Sequence, residues 1–295
     1  MGRFGSVLTA MISPFGEDGS VDLDEAAKLA RWLVEEGNEG LIVTGTTGEG
    51  PTLTDAETRD IWRAVSEAVT VPVVAGVGTY DTRDTIIRSK WAKEAGADAL
   101  LVVTPYYSKP SQAGLYAHFS AVASSTDLPI VLYDIPPRTA RKIDTATMLR
   151  LANDHKNVLA VKDAAGNPAE SARLVASAPS DFELYSGDDK LTLAHLAIGA
   201  VGCVGVATHW CATETAQMLA AFRGGDPVKA AALNATMIES YDFESSDESP
   251  NPIPSKVMLN TLGFSVGECR LPHTPPPEGL AETARGVYRR LKGAE

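Results

Sequence analysis

Val158-Leu159-Ala160-Val161-Lys162-Asp163, followed by Ala164-Ala165-Gly166-Asn167-Pro168, contains one complete structural unit. Its first four residues are apolar without alternation. That pattern marks a strand covered on both faces, as in a parallel sheet. Asn167 before Pro168 then puts a proline at the first helical position, where a missing N–H is harmless. The stretch reads strand, turn, helix. It has one anomaly: a lysine ends the apolar run.

The same unit recurs in both directions along the chain. Strands are predicted at Val7–Ile12, Gly40–Val43, Val71–Val77, Ala99–Val103, Leu128–Tyr133, Val158–Lys162, Phe182–Tyr185 and Val201–Val206. Helical patterns fill the gaps. Asp22-Leu-Asp-Glu25 resembles a capping box before Leu23, Ala26, Ala27, Ala30, Leu33 and Val34, and Gly37 can end that helix. Thr54-Asp-Ala-Glu57 opens the next, with Ile61, Trp62 and Val65 inward. Ile86, Ile87 and Trp91 mark a third, stopped at Gly96, and Asp144 precedes another at Met148, Leu149 and Leu151.

Eight β-then-α units in series suit a closed (β/α)8 TIM barrel, with a doubly wound open sheet as the competitor. No strand-order cue in these residues separates the two. Past the eighth strand come helical patterns at Thr213–Arg223 and Pro227–Tyr241, a polar turn from Glu244, a Pro-rich segment (Pro250, Pro252, Pro254) and a last helix at Glu278–Leu291. The predicted organisation is a barrel over residues 1–225 and a C-terminal helical extension over 226–295.

Composition narrows the function classes. The 295 residues carry a formal net charge of −12, which disfavours a nucleic-acid partner because phosphates are repelled on average. No run of about 18 uncharged apolar residues suggests a membrane span, and the N-terminal apolar stretch is short for a secretory signal. Three cysteines (Cys203, Cys211, Cys269) are too few for a disulfide framework and point to a reducing cytoplasm.

Active sites of barrels form at the C-terminal ends of the strands, so strand ends supply the candidates. Lys162 is the first. Desolvation favours the free amine, which attacks carbonyls to form imines; the plainer reading is a lysine that snorkels to solvent or pairs with Asp163. Thr44-Gly-Thr46-Thr47-Gly48-Glu49-Gly50 follows the second strand. Its glycines allow close backbone approach and its hydroxyls donate, which suits a small carboxylate or a phosphate, but an ordinary βα turn has the same composition. It is neither a Walker loop nor a dinucleotide fingerprint. Thr104-Pro-Tyr106-Tyr107 follows the fourth strand and Tyr133-Asp-Ile-Pro-Pro-Arg138-Thr139 the fifth. Tyrosine can pass protons and the arginine fork matches carboxylates, against rim packing and a surface salt bridge as alternatives. Ser186-Gly187-Asp188 follows the seventh strand and also reads as a helix cap. Five scattered histidines, and Cys203, His209 and Cys211 without a fourth ligand, give little support for a metal site.

Together Gly45-Thr-Thr-Gly-Glu49, Val103-Thr-Pro-Tyr-Tyr107 with Lys109-Pro-Ser-Gln-Ala-Gly114, Tyr133 to Thr139, Val161-Lys-Asp-Ala-Ala-Gly-Asn167, Ser186-Gly-Asp-Asp189 and Asn251-Pro-Ile-Pro254 resemble the dihydrodipicolinate synthases. These belong to the Schiff-base aldolase superfamily that includes N-acetylneuraminate lyase. The resemblance runs from about Gly5 to Arg289. It implies a TIM barrel, no metal or organic cofactor, and condensation of pyruvate with L-aspartate 4-semialdehyde. By the same resemblance Lys162 forms the imine and Thr47 with neighbouring amides holds the pyruvate carboxylate. Tyr133 moves protons, Thr46 and Tyr107 complete a relay, Arg138 binds the aldehyde's carboxylate, and Gly187 and Val204 offer backbone contacts. Tyr107 is expected to reach a neighbouring subunit's site, in a homotetramer built as a dimer of dimers. The alternatives are an aldolase of 2-keto-3-deoxy sugar acids and a catalytically silent paralogue.

The chain departs from the family pattern in places. Gly50 replaces a common Ser, and Asp163-Ala-Ala replaces Glu-Ala-Thr. Asp55, Thr58 and Tyr80 stand where lysine-inhibited relatives carry two histidines and an asparagine, so feedback by L-lysine is expected to be weak.

Overall fold

A computed structural model describes residues 2–293. Strands β1 (Val7–Ala10), β2 (Gly40–Val43), β3 (Val73–Gly76), β4 (Ala99–Val103), β5 (Ile130–Asp134), β6 (Val158–Asp163), β7 (Glu183–Ser186) and β8 (Gly202–Gly205) pair in chain order. Every pair is parallel, and β8 returns to β1 through Leu8 and Val204. The sheet closes, so the barrel is correct and the open sheet is not.

The long apolar runs are explained by two cores. Leu8, Ile42, Val74, Leu101, Val131 and Tyr133 fill the barrel interior. Leu41, Val73, Leu100, Ile130, Leu132 and Val161 face outward, beneath the surrounding helices. Both faces of each strand are buried, which removes the polar alternation. Among the described residues no helix is long and apolar enough to cross a membrane.

The helix starts follow the capping signals. Thr54 accepts from the Glu57 N–H while the Glu57 carboxylate accepts from the Thr54 N–H, a reciprocal box. Asp22 caps the Glu25 N–H, but the Glu25 carboxylate turns instead to Lys28 and the Ser265 N–H, so that box is half made. The helix Thr82–Glu94 forms, but the apolar residues that mark it are not its buried face. Its buried face is Thr85, Ser89 and Ala92, while Ile87 is exposed and Ile86 and Trp91 are half-buried. The polar pair tolerates burial because Thr85 Oγ1 donates to the Asp81 carbonyl and Ser89 Oγ to the Thr85 carbonyl. Small side chains then let this helix pack close.

Beyond β8, the helices Thr208–Arg223, Pro227–Phe243, Ile253–Thr261 and Leu280–Leu291 share a core of Trp210, Met218, Met237, Tyr241, Met258 and Val287. The segment read as Pro-rich is largely helical: Pro252 caps Ile253–Thr261 and Pro254 sits in its first turn.

His209 and His118 are buried in the neutral form. His209 Nδ1–H donates to the Val206 carbonyl at 2.8 Å and Nε2 accepts from the Ile12 N–H at 3.1 Å, which ties the end of β8 to the end of β1. Both nitrogens are thus engaged by backbone rather than offered to Cys203 or Cys211. His118 lies 2.9 Å from Thr82 Oγ1. Burial pulls both imidazoles down to about 4. The unfolded chain protonates them at about pH 6.5, so between these values it binds more protons than the fold and acid destabilises. Asp134 works the other way: burial pushes its carboxyl up to about 6, which offsets part of the slope. His118→Asn is expected to flatten the pH dependence of the unfolding free energy by up to one proton, about 1.4 kcal/mol per pH unit. Denaturant titrations across this window measure it, and an unchanged slope contradicts it.

Candidate active site

The aim of Lys162 is set by an irregularity in β6. Ile130 of β5 pairs with Val158, but Val131 pairs with Ala160, so Leu159 is one residue too many. Side chains alternate along a strand, and an extra residue reverses the parity of all that follow. Val158 faces the outer core, yet Ala160 faces inward, and Lys162 follows Ala160 into the barrel. Without the bulge Lys162 would point at the helices.

Lys162 is 4% exposed, and its register partner on β5 is Tyr133. Its ammonium lies 4.4 Å from the centroid of the Tyr133 ring. Asp163 takes the opposite face, accepting from Ser171 Oγ at 2.6 Å and the Ala165 N–H at 2.9 Å. No carboxylate among the described residues pairs with Lys162, so the Asp163 pairing and the snorkelling alternatives both fall. Gly187 leaves room for the lysine stem: a Cβ there would lie 2.9 Å from Lys162 Cγ and 3.0 Å from Ala164 Cβ.

The loop after β2 is folded tightly on itself. Thr44 and Glu49 have φ of 57° and 52°, and a Cβ on Gly48 would meet the Thr44 backbone at 2.9 Å. Trp62 Nε1 donates to Thr44 Oγ1 at 2.7 Å and steadies the turn. No acceptor among the described residues takes the N–H of Thr46 or Thr47, which leaves an anion-binding pair of the kind that loop glycines permit. Asn251 Nδ2 donates to Thr47 Oγ1 at 3.0 Å. The Glu49 carboxylate turns away and pairs with Lys256 at 2.8 Å, with both side chains almost fully buried, and also accepts from the Arg270 N–H at 2.9 Å.

A cavity of about 750 Å³ opens at this end of the barrel, with Thr46, Tyr106, Tyr133, Arg138 and Asn251 on its wall. Arg138 lies on the short helix Pro136–Thr139 and is exposed. No carboxylate among the described residues pairs with it, so the surface salt bridge is not formed. Thr47 and Lys162, 2% and 4% exposed, are recessed from that wall. Val204 is buried in the barrel interior with Tyr133.

The relay is the part not brought together. Tyr107 is 93% exposed at a φ of 71°, and no direct hydrogen bond among the described residues joins Tyr133, Thr46 and Tyr107. Its neighbour Tyr106 reaches the cavity instead and meets Tyr80 edge to face at 5.5 Å. Asp55 pairs with Arg88 at 2.7 Å, and Arg88 with Asp84 at 3.0 Å.

The sequence reading missed Asn251 and Lys256 as site residues. Proline at a helix start is a helix signal, and a lysine among Ile253, Val257, Met258 and Leu259 signals a buried charge, which needs a partner.

Known proteins share this sequence and fold. The model of the dihydrodipicolinate synthetase family matches residues 3–285. The chain belongs to this family. A 4-hydroxy-tetrahydrodipicolinate synthase of Acidothermus cellulolyticus is 51% identical over 91% of this chain and 86% of its own length. A dihydrodipicolinate synthase from Cyanidioschyzon merolae, solved with lysine bound, superposes with a TM-score of 0.96 at 38% identity, covering 99% of both chains. A monomeric dihydrodipicolinate synthase variant has a TM-score of 0.93 at 36% identity, covering 98% of this chain and 97% of its own. The family match spans the barrel and most of the C-terminal helices, so those helices are part of the family's common chain.

Because the Gly187 backbone abuts the lysine stem, Gly187→Ala is expected to displace the amine. A misplacement near 1 Å slows imine formation by about 100-fold. Borohydride trapping rates with pyruvate, alongside a thermal melt, check this. A wild-type trapping rate with normal folding contradicts it.

Proposed function

We propose that this protein condenses pyruvate with L-aspartate 4-semialdehyde to 4-hydroxy-tetrahydrodipicolinate, through an imine on Lys162. The observation that carries the reading is the amine of Lys162, buried without a carboxylate partner and stacked over Tyr133 at the C-terminal end of a barrel strand.

The chemistry follows from that amine. Lys162 Nζ adds to the pyruvate carbonyl and water leaves, giving an iminium. Its positive nitrogen withdraws electrons, so a methyl proton departs and an enamine forms. The enamine carbon attacks the aldehyde carbon, and a proton neutralises the resulting alkoxide. The substrate's own amine then adds to the iminium carbon and expels Lys162, which closes the ring and frees the enzyme. The iminium is the electron sink throughout, so the reaction as written needs no metal or organic cofactor.

The other residues take roles around these steps. Thr47 and the N–H groups of Thr46 and Thr47 bind the pyruvate carboxylate. Tyr133 carries protons on and off the intermediates, with Thr46 beside it. Arg138, free of a protein carboxylate, binds the carboxylate of the semialdehyde; this favours an acid-bearing aldehyde over a neutral sugar chain. Gly187 and Val204 shape the space beside the lysine. Tyr107 completes the relay of a neighbouring subunit, which explains why so large a side chain stands in solvent. A homotetramer in the cytoplasm suits that arrangement and the three free cysteines.

Reduction with borohydride in the presence of pyruvate is expected to add mass to the peptide containing Lys162, and Lys162→Ala to abolish both label and turnover. Labelling elsewhere, or turnover near wild-type speed in the variant, overturns the reading. Arg138→Met is expected to lower kcat/KM for the semialdehyde by about 10- to 100-fold, the worth of a charged hydrogen-bond pair, while trapping with pyruvate persists. Equal loss for both substrates contradicts that role. With Asp55 engaged by Arg88, L-lysine is expected to leave initial rates unchanged at sub-millimolar concentrations; half-inhibition in that range contradicts it.

A further inference from the structure

A hydroxyl owns one proton. Whether Thr47 offers that proton or a lone pair to a ligand depends on what already holds its oxygen. Asn251 Nδ2 donates to Thr47 Oγ1 at 3.0 Å, across 204 positions of chain. An oxygen that accepts from Asn251 turns its own O–H elsewhere. No acceptor among the described residues takes that proton. Thr47 is 2% exposed and Asn251 6% exposed, so bulk water does not compete freely for either. Asn251 also reaches the cavity wall, and its Oδ1 has no partner among the described residues.

The segment that carries Asn251 is anchored to the same loop. Lys256, one helical turn on, pairs with Glu49 at 2.8 Å, and its Nζ donates to the Glu268 carbonyl at 2.9 Å. Arg270 donates through its N–H to Glu49 and through its guanidinium to Glu57 and the Thr52 carbonyl. These bonds tie the segment that carries Asn251 to Glu49, Thr52 and Glu57, just beyond Thr47 in the chain, and so hold it against the loop.

We infer that Asn251 is a positioning residue, whose amide turns the Thr47 hydroxyl so that its proton is presented to the carboxylate of the keto acid. The inference rests on the pyruvate reading above. It makes the C-terminal helices part of substrate recognition: residues 251–270 hold the carboxylate loop in register, and the single side-chain bond from Asn251 sets the polarity of the Thr47 hydroxyl.

The test is a double-mutant cycle on the KM for pyruvate. Asn251→Ala is expected to raise that KM about tenfold with kcat changed by less than about threefold, since a hydrogen bond to a charged group is lost before chemistry begins. Thr47→Val is expected to raise it at least as much. The double variant is expected to be no worse than Thr47→Val alone, because Asn251 acts only through that hydroxyl. Asn251→Asp keeps the shape and so guards against misfolding. Burial lifts a carboxyl at this site above the usual value of about 3.9, as it does at Asp134; its carboxylate takes the Thr47 proton instead of donating, so the KM rises at about pH 8 and recovers toward wild type at about pH 5, as the acid regains a donor. Multiplicative effects in the cycle, an unchanged KM in Asn251→Ala, or an Asn251→Asp profile parallel to wild type overturns the inference. Wild-type enzyme that borohydride and pyruvate leave unlabelled overturns the pyruvate reading and this inference with it; labelled wild type with an additive cycle removes only the role of Asn251.

Discussion

An unpaired ammonium buried at the end of β6 is the constraint on which the site depends. Taking such a charge out of water costs several kcal/mol, and an opposing carboxylate is the usual remedy. Here the remedy is withheld. The Tyr133 ring lies 4.4 Å from Lys162 Nζ, and an aromatic face offers a cation only partial compensation. With no carboxylate among the described residues bound to it, Lys162 Nζ is left free to meet a carbonyl in the cavity. The arrangement exists because one extra residue, Leu159, changes the parity of the strand. Sheet register is thus the origin of the chemistry: the same sequence in unbroken alternation would bury Asp163 in the barrel and send Lys162 outward.

The surrounding acids follow the same logic. Asp134 is fully buried on β5 but accepts from the Ile143 N–H and from Lys142, on the outer face. Asp163 is held by Ser171, Glu49 by Lys256, and Asp84 by Arg88. Each of these carboxylates has a partner of its own and none of them neutralises Lys162 or Arg138. A site for two anionic substrates needs this distribution. An acid free to swing toward Lys162 or Arg138 would compete with the substrates at every turn of the cycle. The ion pair of Glu49 with Lys256 is best understood this way, since a buried pair adds little net stability but keeps a charge from wandering.

What could be read in the residues, and what could not, divides along physical lines. Strands covered on both faces announce themselves as apolar runs, and all eight lie within a few residues of their expected places. Loop chemistry was equally legible: Thr46, Arg138 and Gly187 converge with Lys162 and Tyr133 on one end of the barrel. The inward face of Thr82–Glu94 was not, because hydrophobicity favours Ile87 while the fold prefers small polar residues whose hydroxyls bond back to the helix. Tyr106 and Tyr107 are adjacent and chemically identical; only the turn between them decides that one lines the cavity and the other stands in solvent. A bulge leaves no mark in composition at all.

The C-terminal helices contribute to the site whether or not they count as a separate unit of the chain. A barrel is complete after its eighth unit, so everything later looks like an addition. Yet the loop after β2, which carries two residues at positive φ, is not held by the barrel alone. Residues 251–270 supply that support, through a buried ion pair and hydrogen bonds to Thr47, Glu49, Thr52 and Glu57. A loop held from both sides keeps its donors aimed before substrate arrives, and preorganised donors need no rearrangement as charge develops. The extension therefore belongs to the site on energetic grounds, whatever boundary the helices suggest.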